Sequence, residues 1–267
     1  MRGFRSIASF LRGRTAGRTP RPQYEIPLEW LVKREARLTG LFGSGPVVEI
    51  GETPQSGQIE RLATEAEAAG ALPLWEGYAA LEKYPYPVRN ATRSSNGVRI
   101  DRAMGNFFAY LVEATGPDTV LEIGTAFGVS GMYWLAGLEA SGRGELVTFE
   151  PNAVWAALAR KNLAAIGGRF RLVVGTFEEN LEAALPCPRG IDIAFVDGIH
   201  TAAAIGGQFA LLAPRMRPGG LVLFDDTDFS AEMTSSWRAI ATSERVAASA
   251  VLAGRVGIVE LSGLTAG

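Results

Sequence analysis

The 267-residue sequence holds one cysteine, Cys187, so an internal disulfide is excluded and a reducing, cytoplasmic setting is expected. It holds no run long and apolar enough to span a bilayer as a helix, so no membrane partner is expected. Neither sign of charge prevails: 26 Lys and Arg stand against 28 Asp and Glu, a formal −2. That balance offers no basic field for a phosphate backbone and argues against a nucleic-acid binder, leaving a small molecule as the expected partner. Internal repeats and long low-complexity blocks are missing as well. Histidine occurs once, as His200 in "AFVDGIH". What is plentiful is apolar side chain, 47% of the composition, enough to bury a full core.

Residues 1–23 carry six arginines and no acid, and lack the apolar stretch of a secretory signal; they read as a disordered basic tail. Over 24–95, "PLEWLVKREARLTGLF" and "SGQIERLATEAEAAGALPLWEGYAALEKY" repeat apolar residues every three to four positions, as at Ile59, Leu62, Ala63 and Ala66. A helical cap or lid is expected there, closed by the helix-breaking "YPYPVRNATRSSNG". Over 96–267 the pattern changes. Five short β-rich runs, "TVLEIG", "ELVTFE", "FRLVVG", "IDIAFVD" and "GLVLFDD", alternate with helical stretches. Wholly apolar strands between amphipathic helices imply a doubly wound α/β domain on a mostly parallel sheet covered on both faces. "RVAASAVLAG" and "RVGIVELSG" add a terminal antiparallel hairpin through an Ala-Gly turn, for seven strands in all.

Two constellations carry chemistry. In "VLEIGTAFGVSG" a strand ends in Glu122 and turns through Gly124, Ala126 and Gly128 into a helix near Val129, with Thr125 and Ser130 able to bond a carboxylate. Small residues there let backbone N–H groups approach a ligand, and the helix N-terminus favours an anionic group. Ala126 and Val129 occupy the third and sixth positions where a dinucleotide fingerprint needs glycine. The next run ends in Glu150, whose carboxylate is placed to accept both hydroxyls of a ribose, so a nucleoside is expected. The second constellation is acidic. Parallel strands present their C-terminal ends on one side, so Asp197, ending the fourth run, should converge with Asp225 and Asp226, ending the fifth. Three close carboxylates disfavour one another's ionisation, and a divalent cation such as Mg²⁺ would relieve that conflict. His200 follows Asp197 closely enough to face the same pocket and titrates near ~6.5, suited to taking a proton from a hydroxyl.

Over about residues 95–261 these motifs resemble the class I S-adenosylmethionine-dependent methyltransferases, which implies a Rossmann-like methyltransferase fold. The resemblance implies that Glu122, Gly124, Thr125, Ala126, Gly128 and Ser130 border the methionine part of S-adenosylmethionine, that Glu150 holds its ribose, and that Gly175, Thr176 and Phe177 border its adenine. "FVDGIH" with "RPGGLVLFDD" further resembles the metal-dependent O-methyltransferases of the catechol type and of the bacterial type acting on sugar or polyketide hydroxyls. That likeness implies metal ligands at Asp197, Asp225 and Asp226, with Asp197 also beside the cofactor, a basic residue at His200, and a hydroxyl-bearing small-molecule acceptor. The sequence departs from the bacterial pattern at Ala202, where an aromatic is usual, and at Gln208, where an acid is usual. Trp75, Tyr78, Tyr84 and Tyr86 are expected to wall the acceptor or to form a homodimer surface. The rival readings are an NAD-dependent oxidoreductase and a non-catalytic cofactor-binding partner protein.

Overall fold

The computed structural model describes residues 23–77, 91–185 and 190–262. The basic tail through residue 22, Tyr78, Tyr84, Tyr86 and Cys187 lie outside them. In chain order the elements are β1 (Tyr24–Val32), α1 (Arg37–Phe42), β2 (Val47–Ile50), α2 (Ser56–Ala68), the short β3 (Leu72–Pro73) and β4 (Thr92–Arg93), and α3 (Arg102–Thr115). The alternating part follows: β5 (Thr119–Ile123), α4 (Val129–Ser141), β6 (Glu145–Glu150), α5 (Ala153–Ile166), β7 (Phe170–Val174), α6 (Phe177–Ala184), β8 (Ile191–Val196), α7 (Ala202–Leu212) and β9 (Met216–Phe224). The chain closes with α8 (Ala231–Ala241), β10 (Val246–Leu252) and β11 (Val256–Leu261).

One nine-stranded sheet has the order β2-β1-β10-β11-β9-β8-β5-β6-β7. From β7 to β9 all neighbours are parallel; from β9 outward through β11, β10, β1 and β2 all are antiparallel. The α/β architecture matches expectation, with two strands more than seven. The physical reason lies in the N-terminal region, expected to be helical throughout. In Tyr24–Val32 the side chains alternate, Ile26 and Leu28 buried against exposed Glu25, Pro27 and Glu29, which is the period of a strand. β1 accordingly pairs with β10, Leu28 opposite Leu252, and extends the sheet rather than capping it. Helix α2 forms as expected and buries Ile59, Leu62, Ala63 and Ala66.

Strand side chains alternate between two cores. Val120, Phe195 and Leu223 face the side covered by α1 to α5, and Leu121, Ala194 and Phe224 face the side covered by α6 to α8. Side-chain caps fix where the helices start: Asp101, Asn152, Thr176, Thr201 and Ser230 each accept from a backbone N–H in the first turn, a device worth typically about 1 kcal/mol apiece. Four of these caps follow strand ends, so they also set the loops that carry the site. Strand order reverses between β5 and β8, the place where open α/β sheets bind ligands at their carboxyl ends. Among the described residues no helix is long and apolar enough to cross a membrane.

Candidate active site

A cavity of about 600 Å³ opens at the carboxyl ends of β5, β6, β8 and β9. Its first wall is the turn after β5. Gly124 has φ +94°, and a Cβ there would overlap the carbonyl oxygen of Asp197, so this turn and the one after β8 touch only because the residue is glycine. Its N–H and that of Thr125 both donate to the Phe149 carbonyl, at 3.0 and 3.2 Å, locking the turn to β6. Ala126 takes the left-handed φ of +47° and donates its N–H to Glu150 Oε2 at 2.8 Å. Gly128 begins α4 with φ +85° and packs on Ala159.

The expected cofactor residues divide between surface and support. Gly124, Ala126, Glu150, Thr176, Phe177 and Asp197 line the cavity. Glu122 and Thr125 are buried behind it: Thr148 donates its hydroxyl to Glu122 Oε2 at 2.7 Å and shares a 2.5 Å hydrogen bond with the Thr125 hydroxyl. Burial pushes the Glu122 carboxyl up to about 7, against the pull of Ser130 and Thr148. Ser130 and Gly128 therefore act at the base of the turn, not on its exposed face; Ser130 borders a much smaller recess behind it. Gly175, with φ +136°, shapes the turn after β7 and does not line the cavity.

Glu150 is 4% exposed and accepts from the N–H groups of Ala126 and Asn152, each at 2.8 Å. Each oxygen thus keeps a lone pair toward the cavity. Burial outweighs both bonds and raises its carboxyl to about 7. Trp155 and Pro151 extend this wall, the indole stacking on Phe127 at 5.0 Å, and Phe177 sets its edge against Phe149 at 5.5 Å.

Across the cavity, Asp197, Asp225, Asp226 and His200 do converge. His200 Nε2 lies 3.5 Å from Asp226 Oδ2 and 3.7 Å from Asp197 Oδ1, and its ring lies 5.6 Å from that of Phe229. Burial lowers the imidazole pKa below its ordinary value, overriding the neighbouring aspartates, so the ring is neutral near pH 7. Burial, and then Asp225 and Asp226, raise the Asp197 carboxyl well above the usual range; burial and Asp225 raise Asp226. Asp226 also holds a left-handed φ of +50°, uncommon outside glycine, which aims its carboxylate back toward His200.

The divalent metal expected on Asp197, Asp225 and Asp226 meets a guanidinium in the donor geometry. Arg255 donates Nε to Asp225 Oδ1 at 2.9 Å and Nη2 to Asp225 Oδ2 at 2.5 Å, and its Nε also stands 3.0 Å from Asp226 Oδ1. Both oxygens of Asp225 are committed to a guanidinium fork, and the residue is 2% exposed. The donor set does not fit a hard dication, because a fixed cation already lies against two of its three carboxylates. Among the described residues no group of three His, Cys, Asp or Glu side chains is disposed to hold a metal.

Arg255 had no signal in sequence. It became predictable only given the pairing of β11 antiparallel to β9, Gly257 opposite Phe224, which delivers the turn before β11 to the acidic edge. Gln208, noted as a departure, is 3% exposed, donates Nε2 to Glu178 Oε1 at 2.9 Å and, among the described residues, leaves Oε1 without a hydrogen-bond partner; both residues line the cavity. Arg93, Arg99 and Trp75 close the opposite side. Ala202 merely begins α7.

Residues 121–227, which carry most of this site, match a family model described as a methyltransferase domain. A protein of Mycolicibacterium vanbaalenii named "Putative O-methyltransferase" is 31% identical over 126 residues, 46% of this chain and 54% of that protein. The chain thus spans about half the length of the curated relatives it matches. Among solved structures, the O-methyltransferase TomG of Streptomyces achromogenes, involved in tomaymycin synthesis and solved with S-adenosylmethionine, aligns over 85% of this chain and 95% of its own at 18% identity, TM-score 0.55. The O-methyltransferase of Bacillus cereus, solved with S-adenosylhomocysteine, aligns over 78% of this chain and 92% of its own at 21% identity, TM-score 0.54. The fold is shared with both.

Proposed function

We propose, from a chain whose residues 121–227 match a methyltransferase domain, that the protein transfers the methyl group of S-adenosylmethionine to a hydroxyl oxygen of a small molecule of catechol, sugar or polyketide type. The observation that carries this reading is one continuous cavity with a nucleoside-type edge at Gly124, Ala126 and Glu150 and a base, His200, on its other wall.

The residues fit the cofactor. Gly124 leaves a cradle that any side chain would fill, and the two free lone pairs of Glu150 suit a pair of ribose hydroxyls. Phe177 and Thr176 offer an aromatic floor and a polar rim beside it. When bound, the cofactor would supply a sulfonium methyl, so that a C–O bond would form as a C–S bond breaks, with S-adenosylhomocysteine and the hydroxyl proton as the other products. His200 takes that proton on its imidazole, which burial keeps neutral near pH 7. Asp226 and Asp197, at 3.5 and 3.7 Å, orient the ring and stabilise the imidazolium that forms. The cavity walls hold the acceptor against the methyl, converting an encounter of two molecules into a single bound geometry.

The test combines calorimetric titration of S-adenosylhomocysteine with methyl transfer from labelled S-adenosylmethionine to a panel of catechols, phenols and glycosides. Binding lost in Glu150→Ala is expected, and turnover lost in His200→Ala with binding kept. Stabilisation by NADH in place of S-adenosylhomocysteine would overturn the reading.

A further inference from the structure

We infer that Arg255 is the resident cation of this active site, standing where the sequence pattern leads one to expect a divalent metal, and that the acceptor oxygen is activated by Arg255 and His200 without a metal ion. The inference rests on the methyl-transfer reading for the word "acceptor", but its central claim, that this acidic edge refuses a dication, does not.

Three observations support it. The first is how completely Asp225 is engaged: two parallel N–H···O bonds, at 2.9 and 2.5 Å, use the planar fork in the geometry that binds carboxylates most strongly. The second is that the backbone from which the half-exposed Arg255 side chain projects is held on several sides. Its backbone N–H donates to the Leu252 carbonyl at 3.0 Å, closing a turn in which Ala253 and Gly254 both have positive φ, +50° and +70°. Its own carbonyl accepts from the Thr227 N–H at 3.0 Å and the Thr227 hydroxyl at 2.7 Å, and the turn is held from a third side by Ala253 N–H on the Pro27 carbonyl at 2.8 Å. The hairpin, the loop after β9 and strand β1 thus all fix the point from which the guanidinium reaches Asp225. A metal could gain Asp225 only by displacing a fork whose root these hydrogen bonds hold beside it.

The third is charge. Asp197, Asp225 and Asp226 need more than one positive charge when all are ionised, and Arg255 supplies one permanently. Arg255 lines the cavity, and its Nη1 makes no hydrogen bond among the described residues. That nitrogen keeps two N–H donors for the acceptor oxygen. As the proton passes from the acceptor to His200, Nη1–H bonds hold the developing oxyanion until its electron pair forms the new C–O bond.

The experiment is a Mn²⁺ titration followed by electron paramagnetic resonance and by thermal shift, on the full chain, with S-adenosylhomocysteine binding measured on the same samples. The native protein is expected to leave Mn²⁺ free at millimolar concentration and to keep its turnover in EDTA. Arg255→Ala, which frees Asp225, is expected to bind Mn²⁺ and to be stabilised by it, with turnover at least tenfold below native in EDTA and partly restored by the metal. Arg255→Lys keeps a charge but loses the fork and is expected to bind Mn²⁺ no better than native; if Arg255→Ala does not fold, this variant and the native titration decide the matter. Micromolar Mn²⁺ binding by the native protein, abolished in Asp225→Asn, would overturn the inference. Loss of S-adenosylhomocysteine binding with Mn²⁺ still refused would instead remove the proposed function and leave the cation assignment standing.

Discussion

Glu122 offers the sharpest test of how this interior handles charge, because its replacement by glutamine changes one ionisation and little shape. The carboxyl is fully buried, and Oε2 accepts from Thr148 at 2.7 Å. Burial raises it from 4.5 to about 7. The sign follows directly. Between pH 4.5 and about 7 the folded protein holds a proton here that the unfolded chain has released, so this residue's stability is full below the unfolded value and is lost as pH rises through the folded one. A shift of about 2.5 units at 1.36 kcal/mol each corresponds to about 3 kcal/mol. Glutamine stays neutral at every pH and loses nothing. The stability of Glu122→Gln relative to native should therefore climb by about 3 kcal/mol between about pH 4.5 and about pH 7.5, then level off. Any cost of fitting the amide beside Thr148 is a constant offset, so the slope alone is read. Urea unfolding at several pH values gives it, provided the m-values of the two proteins agree. In melting temperature the same change is roughly 6–12 °C for a domain of this size. Two parallel stability curves would refute the reasoning, since they would mean that the buried carboxyl ionises as freely as in the unfolded chain.

Gly124→Ala forces a Cβ onto the Asp197 carbonyl at a left-handed φ. It should cost roughly 2–5 kcal/mol in chemical denaturation and abolish S-adenosylhomocysteine binding through displaced turns. Glu150→Gln removes a charged acceptor and should weaken S-adenosylhomocysteine by roughly 10- to 100-fold in calorimetry, the worth of one charge-assisted hydrogen bond. Unchanged affinity would remove Glu150 from the nucleoside site. His200→Ala should lower kcat roughly 10²- to 10⁴-fold with cofactor affinity kept. Because burial lowers the His200 pKa, the acid limb of native kcat/KM should fall below pH ~6.5, where an ordinary histidine titrates, and should vanish in the variant.

Four of the five runs from Thr119 to Phe224 announce their strands because β5, β6, β8 and the end of β9 are buried on both faces, which leaves a nearly unbroken apolar code; the fifth, β7, lies at the sheet edge and is only partly buried. The convergence of Glu150, Asp197, Asp225 and His200 followed from the same code, since parallel strands must end on one side. The segment Tyr24–Val32 was ambiguous for a local reason: Leu28 and Leu31 fit helical spacing while Ile26 and Leu28 fit a strand's. Its partner, β10, lies more than two hundred residues away, so no local pattern decided between them. The buried polar chain Glu122–Thr148–Thr125 was likewise invisible, because nothing in the glycine turn says which of its residues face the ligand and which face inward.

What the sequence determined by itself was the alternation of strand and helix and the edge at which charged residues gather, both consequences of burial pattern and chain direction. The tertiary structure alone decided what neutralises that edge. A cation contributed from a hairpin turn, about thirty residues beyond the aspartates it binds, depends on the register of two antiparallel strands, which is set by side-chain packing across the sheet and not by any motif along the chain.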